Sequence, residues 1–267
     1  NDRTHAVFEY IRKAELLFAI VYEDQTITHM ISQTVLRQED KYDHAREVMT
    51  YLNKTWFQSR EYVKIDNRPL LLTFGPQHFK SSAEWENIFS VLPVQPLFFT
   101  LDNRLAPAAG AFSWPPMWKT SSNGILTHAS LQEYLNQFST KSALWPYRIS
   151  SAFPAFHDIY REAGVSAGYG YLDAGNGATF ALTLEQALSD APHIIQLVTW
   201  NDYGEGTIIE PTEEFGYRYL ERVQNVRSAI DSTFQPQSKH LQLPLRLYNL
   251  RRQHVNDEQF NDALDRI

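Results

Sequence analysis

The chain has 267 residues, of which 43% are hydrophobic, 13% aromatic and none cysteine, and it carries a formal net charge of −7. This is enough apolar material for one sizeable core, and an acidic balance without a basic run argues against nucleic acid or an anionic membrane as partner, since both need positive charge to neutralise phosphate. The lack of cysteine excludes disulfides, thiolate catalysis and cysteine-ligated zinc, while no apolar run reaches the ~18 residues of a membrane-spanning helix.

In chain order, a helical pattern over 4–14 precedes a first strand at 16–22, and a helix is expected over 43–57. The sequon Asn53-Lys54-Thr55 falls inside that helix and carries little weight. Strands follow at 70–74, 97–101, 111–114, 143–149 and 194–200, separated by helices at 83–91, 131–138, 157–163 and 184–188, with a last long helix at 213–230. Three helix starts pair a hydroxyl with an acid or amide three residues on: Ser81 with Glu84, Ser130 with Glu133, and Thr183 with Gln186. Gly164 reads as a helix C-cap, and 165–180 as a β-like excursion. Strands alternating with helices predict an α/β fold with a parallel sheet. Residues 1–230 read as one barrel domain and 231–267 as an appendage packed on it.

The chemistry concentrates at the end of the last strand, where the run 194–198 leads into Thr199-Trp200-Asn201-Asp202-Tyr203-Gly204-Glu205-Gly206. Two glycines allow a sharp turn after the strand, so that Asp202 and Glu205 converge on one mouth. Paired carboxylates beside aromatic and amide side chains suit glycosidic hydrolysis, in which one protonates the departing oxygen and the other activates a nucleophile. The competing reading is two solvated loop acids. Tyrosine and tryptophan faces stack on sugar C–H surfaces, so the aromatic content also fits a carbohydrate.

The longer stretch from Trp200 through Glu210-Pro211 resembles the signature of the glycoside hydrolase family 71 and 99 superfamily, which includes fungal α-1,3-glucanases and endo-α-mannosidases. Similar in a weaker way are Tyr62, Asp66 and Arg68-Pro69 before the run 70–74, and Ala152-Phe153-Pro154-Ala155-Phe156-His157-Asp158, which is like a Pro-Gly-Phe-Asp-type loop of the family. The resemblance spans roughly residues 60 to 215 and implies a (β/α)8 TIM-type barrel. Six strand-like runs fall short of eight, so the first one or two βα units are expected to be absent from this chain. The mannosidase branch usually has Glu as the first acid of the motif and an aromatic-His pair before the second. Asp202 and Tyr203-Gly204 stand here instead, closer to the glucanase branch.

The expected enzyme is a glycoside hydrolase of α-linked glucan or mannan chains, with Glu205 as general acid, Asp202 as base, inversion favoured, and no metal or organic cofactor. Expected substrate contacts are Trp200, Asn201 and Tyr203 beside the acids, His157 and Asp158, Glu23 and Asp24 after the first strand, Asp102 after the run 97–101, and Trp114. Its partner is an oligosaccharide or polysaccharide, bound by a monomer that is secreted or periplasmic. Two rivals stand beside it. One is a non-catalytic glycan-binding barrel. The other is a serine hydrolase, since Gly164-Val165-Ser166-Ala167-Gly168 matches the nucleophile-elbow pattern and His193 follows it. No histidine spacing matches a metal-binding helix.

Overall fold

The computed structural model describes residues 2–266 and divides into two compact units, one built from residues up to 119 with 128–152 and 186–196, the other from 120–127, 153–185 and residues from 197 onward.

The first unit opens with helix α1 (Asp2–Lys13), strand β1 (Ile20–Tyr22), helices α2 (Gln25–Ser32) and α3 (Lys41–Leu52), and a π-helical turn at Asn53–Phe57. Next come the hairpin of β2 (Lys64–Ile65) and β3 (Arg68–Thr73), helix α4 (Ser82–Phe89), β4 (Leu97–Leu101), β5 (Gly110–Phe112), α5 (His128–Ser142) and β6 (Ile149–Ala152). The hairpin turn places Asp66 and Asn67 at φ 52° and 60°, the left-handed pair that a two-residue loop between twisted strands requires. Strands β1, β3, β4, β5 and β6 are parallel neighbours in that order, and β9 (Ile194–Leu197) closes the series. The result is a parallel half-barrel of six strands, an incomplete TIM barrel, as the alternation of strands and helices predicts.

Parallel strands covered on both faces read as continuous apolar runs, and β3 and β4 do so, with Leu70, Leu71, Leu72, Phe98 and Phe99 all buried. One face of the sheet packs under α2, α3 and α4 through Ile27, Met49, Trp85 and Phe89. The opposite face gathers Leu70, Leu72, Leu97, Phe99 and Phe112. Tyr62 ties the edge together: its hydroxyl donates to the Leu70 carbonyl at 2.7 Å and accepts the Ile20 N–H at 3.1 Å. Its place in the family resemblance thus reports a clasp of the sheet.

Ser81 and Glu84 form the expected capping box at the start of α4. The other two boxes are not formed as expected, because α5 begins at His128 and α6 (Ala178–Ser189) begins five residues before Thr183, leaving both hydroxyls inside helices. The Thr183 hydroxyl instead donates to the Phe153 carbonyl at 2.9 Å. The strand expected at 143–149 lies later, at β6, with Ala143 to Arg148 in turns and loop. Its Ile-Ser-Ser-Ala sequence hides it, because Ser150 and Ser151 are buried through bonds to Asp190 and Ser113.

The second unit holds the ribbon of β7 (Phe156–His157) with β8 (Tyr171–Leu172), and the hairpin of β10 (Asn201–Asp202) with β11 (Thr207–Ile208). No helix covers 157–163, contrary to expectation: residues 160–164 form turns, so Gly164 at φ 67° ends a turn instead of capping a helix. Helix α7 (Arg218–Ile230) packs Tyr219 against Phe180, and residues beyond it form α8 (Ser238–Leu241), α9 (Leu243–Gln253) and α10 (Glu258–Leu264). No described helix is long and apolar enough to cross a membrane.

Candidate active site

Asp202 ends β10 and Glu205 lies in the four-residue loop 203–206 that closes the β10/β11 hairpin, in which Asn201 faces Ile208 and Asp202 faces Thr207. The entry is fixed by Thr199, whose hydroxyl donates to the Thr207 carbonyl at 2.8 Å and accepts the Asp202 N–H at 2.9 Å. Asp202 Oδ1 then accepts the Glu205 N–H at 2.9 Å. This is the side-chain turn that aspartate forms readily with backbone two or three residues on. It joins the two acids by a bond that fixes the Asp202 carboxylate relative to the Glu205 backbone.

The loop is seated on the segment following β7. His157 N–H donates to the Glu205 carbonyl at 2.8 Å, and Ile159 N–H donates to the Gly204 carbonyl at 3.0 Å. Gly206 lies at φ 69°, and a Cβ there would stand 2.8 Å from the His157 carbonyl oxygen. Both the left-handed backbone and the close approach demand glycine. Gly206→Ala is therefore expected to push the loop off its seat and displace Glu205, reducing any turnover at least tenfold while costing about 1–2 kcal/mol of stability. Comparing activity with the midpoint of urea unfolding checks this, and an alanine variant with full activity contradicts it.

Tyr160, which no sequence motif marks, donates its hydroxyl to Glu205 Oε1 at 3.2 Å. Burial, followed by the charges of Glu205 and Asp202, pushes the Tyr160 hydroxyl up to about 12, so it remains a proton donor throughout the neutral range. It lies forty-five residues from Glu205 in sequence, inside the region expected to be helical. Only the tertiary fold brings the two together.

Trp200, Asn201 and Tyr203 flank the acids as exposed side chains, and the Tyr203 hydroxyl donates to Glu210. His157 is exposed, whereas Asp158 is buried and accepts the N–H groups of Tyr160 at 3.1 Å and Tyr169 at 2.7 Å. Its carboxylate shapes the loop between β7 and β8. Gly168 faces the same carboxylate, where a Cβ would stand 2.8 Å from Asp158 Oδ1.

In the first unit, Glu23, Asp24, Asp102 and Trp114 all sit at carboxyl ends of parallel strands, the end at which barrel enzymes build their sites. Glu23 is exposed. Asp24 is fully buried, its carboxylate accepting the N–H groups of Gln77, His78 and Phe79 at 2.6–3.0 Å. It holds a loop and has no face open to a sugar. Asp102 pairs with Lys141 at 3.0 Å, and Trp114 packs edge-on against Phe74 with ring centroids 5.0 Å apart.

The nucleophile-elbow reading of Ser166 fails on geometry. An elbow needs a strand before the serine and a helix after it, but Ser166 lies in an exposed turn and accepts the Gly168 N–H at 3.2 Å.

Residues 23–228 match the model of glycosyl hydrolase family 71. The chain belongs to that family. The family is one of glycosyl hydrolases, and the chain spans less than two thirds of the length of the first solved structure it matches. Among solved structures, the chain is similar to the GH99 endo-alpha-mannosidase from Bacteroides thetaiotaomicron, with 19% identity and a TM-score of 0.51, covering 71% of this chain and 63% of that one. The same enzyme in complex with bis-tris-propane gives 18% identity and a TM-score of 0.51, over 70% and 68% of the two chains. A glycoside hydrolase-like protein aligns at 13% identity with a TM-score of 0.53, over 72% of this chain and 63% of its own. At these identities the likeness is one of fold. No curated protein matches the sequence.

Proposed function

We propose that this family 71 chain cleaves α-linked glycans, with Glu205 as general acid toward the glycosidic oxygen and Asp202 as the carboxylate that activates the nucleophile. The observation that supports this reading is the hairpin loop itself: Asp202 Oδ1 accepts the Glu205 N–H, the loop backbone is seated on residues 157–159, and Glu205 Oε1 accepts the Tyr160 hydroxyl. Two solvated loop acids would need none of these constraints. Catalytic groups gain from such preorganisation because the ordering is complete before substrate arrives.

Each group then has a defined part. The Glu205 carboxyl gives its proton to the departing oxygen, while the Tyr160 hydroxyl holds Oε1 in place before and after the transfer. Asp202 Oδ1 is engaged by the loop, which leaves Oδ2 as the oxygen to draw a proton from water or from a sugar hydroxyl. Trp200 and Tyr203 offer exposed aromatic surface for the sugar rings on either side. Attack by water predicts inversion at the anomeric carbon.

Proton NMR of the first anomer released from α-1,3-glucan and from α-1,2-mannan tests substrate and stereochemistry together. Inverted glucose product is expected. A retained anomer from mannan with glucan untouched would replace this choice by a substrate-assisted route through the sugar 2-hydroxyl, and glycan binding without turnover would establish a non-catalytic glycan-binding barrel.

A further inference from the structure

We infer that a small pocket on the second unit, walled by His157, Arg161, Glu162, Gly168, Gly170 and Tyr171 and closed by the loop 123–125, binds one pyranose residue of a glycan substrate; the inference rests on the hydrolase reading above. The pocket holds about 200 Å³. That is below the ~300–1,000 Å³ of pockets for drug-sized ligands, so it suits a single ring and not a longer stretch of chain.

Its walls have the chemistry of a neutral polyhydroxyl ligand. Tyr171 is 37% exposed and meets the His157 ring edge-on at 5.1 Å, which gives an aromatic wall with a polar rim. Arg161 bonds the Ala167 carbonyl through Nε and one terminal nitrogen at 3.1 and 3.0 Å, which holds the guanidinium in place and leaves further N–H groups for a ligand. Glu162, next in sequence and also on the wall, brings the opposite charge. Asp158 also lines the pocket, its carboxylate accepting the N–H groups of Tyr160 and Tyr169, so the walls disfavour an anion, while sugar hydroxyls can accept from Arg161 and donate to Glu162. Glycines at 168 and 170, at φ 78° and 114°, let the backbone approach closely without side chains filling the space.

The pocket is also connected to the proposed acids. His157 forms part of its wall while its own backbone N–H holds the Glu205 carbonyl, so a sugar seated there would lie against the segment that supports the catalytic loop. Tyr171 is paired to His157 across the β7/β8 ribbon. Asp202 and Glu205 do not line the pocket, so the subsite would hold a sugar of the bound chain away from the bond being cut.

The test is calorimetric titration of the Glu205→Gln chain with a linear α-1,3-linked glucose tetrasaccharide and its α-1,2-linked mannose counterpart. Two further variants are made in that background: Tyr171→Ala removes the aromatic wall, and Ala167→Trp fills the pocket from an exposed rim position. Both should raise Kd for the bound tetrasaccharide at least tenfold. Should Tyr171→Ala also lower the melting temperature, Ala167→Trp decides alone. Unchanged Kd in Ala167→Trp overturns the subsite and leaves the hydrolase reading standing. If the Glu205→Gln chain binds neither tetrasaccharide and the unaltered chain turns neither over, the hydrolase reading fails and the subsite falls with it.

Discussion

Glu205→Gln is expected to cut turnover of glycans with poor leaving groups by about 10²–10⁴-fold, the usual contribution of a positioned general acid. The replacement keeps the shape of the side chain and an oxygen able to accept the Tyr160 hydroxyl, so the bond seen at 3.2 Å can persist. The backbone contacts of the loop, from Asp202 Oδ1 to the Glu205 N–H and from the His157 N–H to the Glu205 carbonyl, are untouched. Only the transferable proton is lost. Activated aryl glycosides, whose leaving groups depart without protonation, should therefore retain much of their rate, while Asp202→Asn should damage both substrates. Steady-state kinetics on a matched pair of substrates reads the difference. Equal loss on both in the Glu205 variant would exchange the two roles.

The largest expected effect on stability comes from Trp85, a fully buried residue of α4. Its ring lies 4.6–6.3 Å, centroid to centroid, from those of Tyr22, Phe79, Phe89 and Phe98. Its indole N–H donates to the Phe79 carbonyl at 2.7 Å. Trp85→Ala would open a cavity between α4 and the sheet and leave that carbonyl without its donor, so a loss of about 3–5 kcal/mol is expected. Trp85→Phe, which restores much of the volume but not the N–H, should cost less. Urea unfolding of the two variants measures both terms, and a cost under about 1 kcal/mol for alanine would show that α4 is not a principal support of the sheet.

What could be read from sequence was local. The run 97–101 matches β4 residue for residue, because a parallel strand buried on both faces is written in consecutive apolar residues. The capping box at Ser81 was legible for a similar reason, since both its partners lie within one helical turn. The identical pattern at Thr183 misled, because the hydroxyl there bonds to Phe153, thirty residues away. β6 was misplaced because its serines look like loop residues until Asp190 and Ser113 satisfy them.

The candidate segment divides along the same line. Sequence by itself determined the half-barrel of alternating strands and helices, the family, and the turn that joins Asp202 to the Glu205 backbone, because each depends on neighbours in the chain. Only tertiary structure decided that Tyr160 meets Glu205, that Gly206 must be glycine where His157 approaches, and that Asp24 is spent on three backbone N–H groups more than fifty residues away. Spacing along a chain fixes which groups a turn can join. It carries no information about the partners that desolvate a carboxyl or consume its lone pairs, since those arrive from distant segments only when the core has packed.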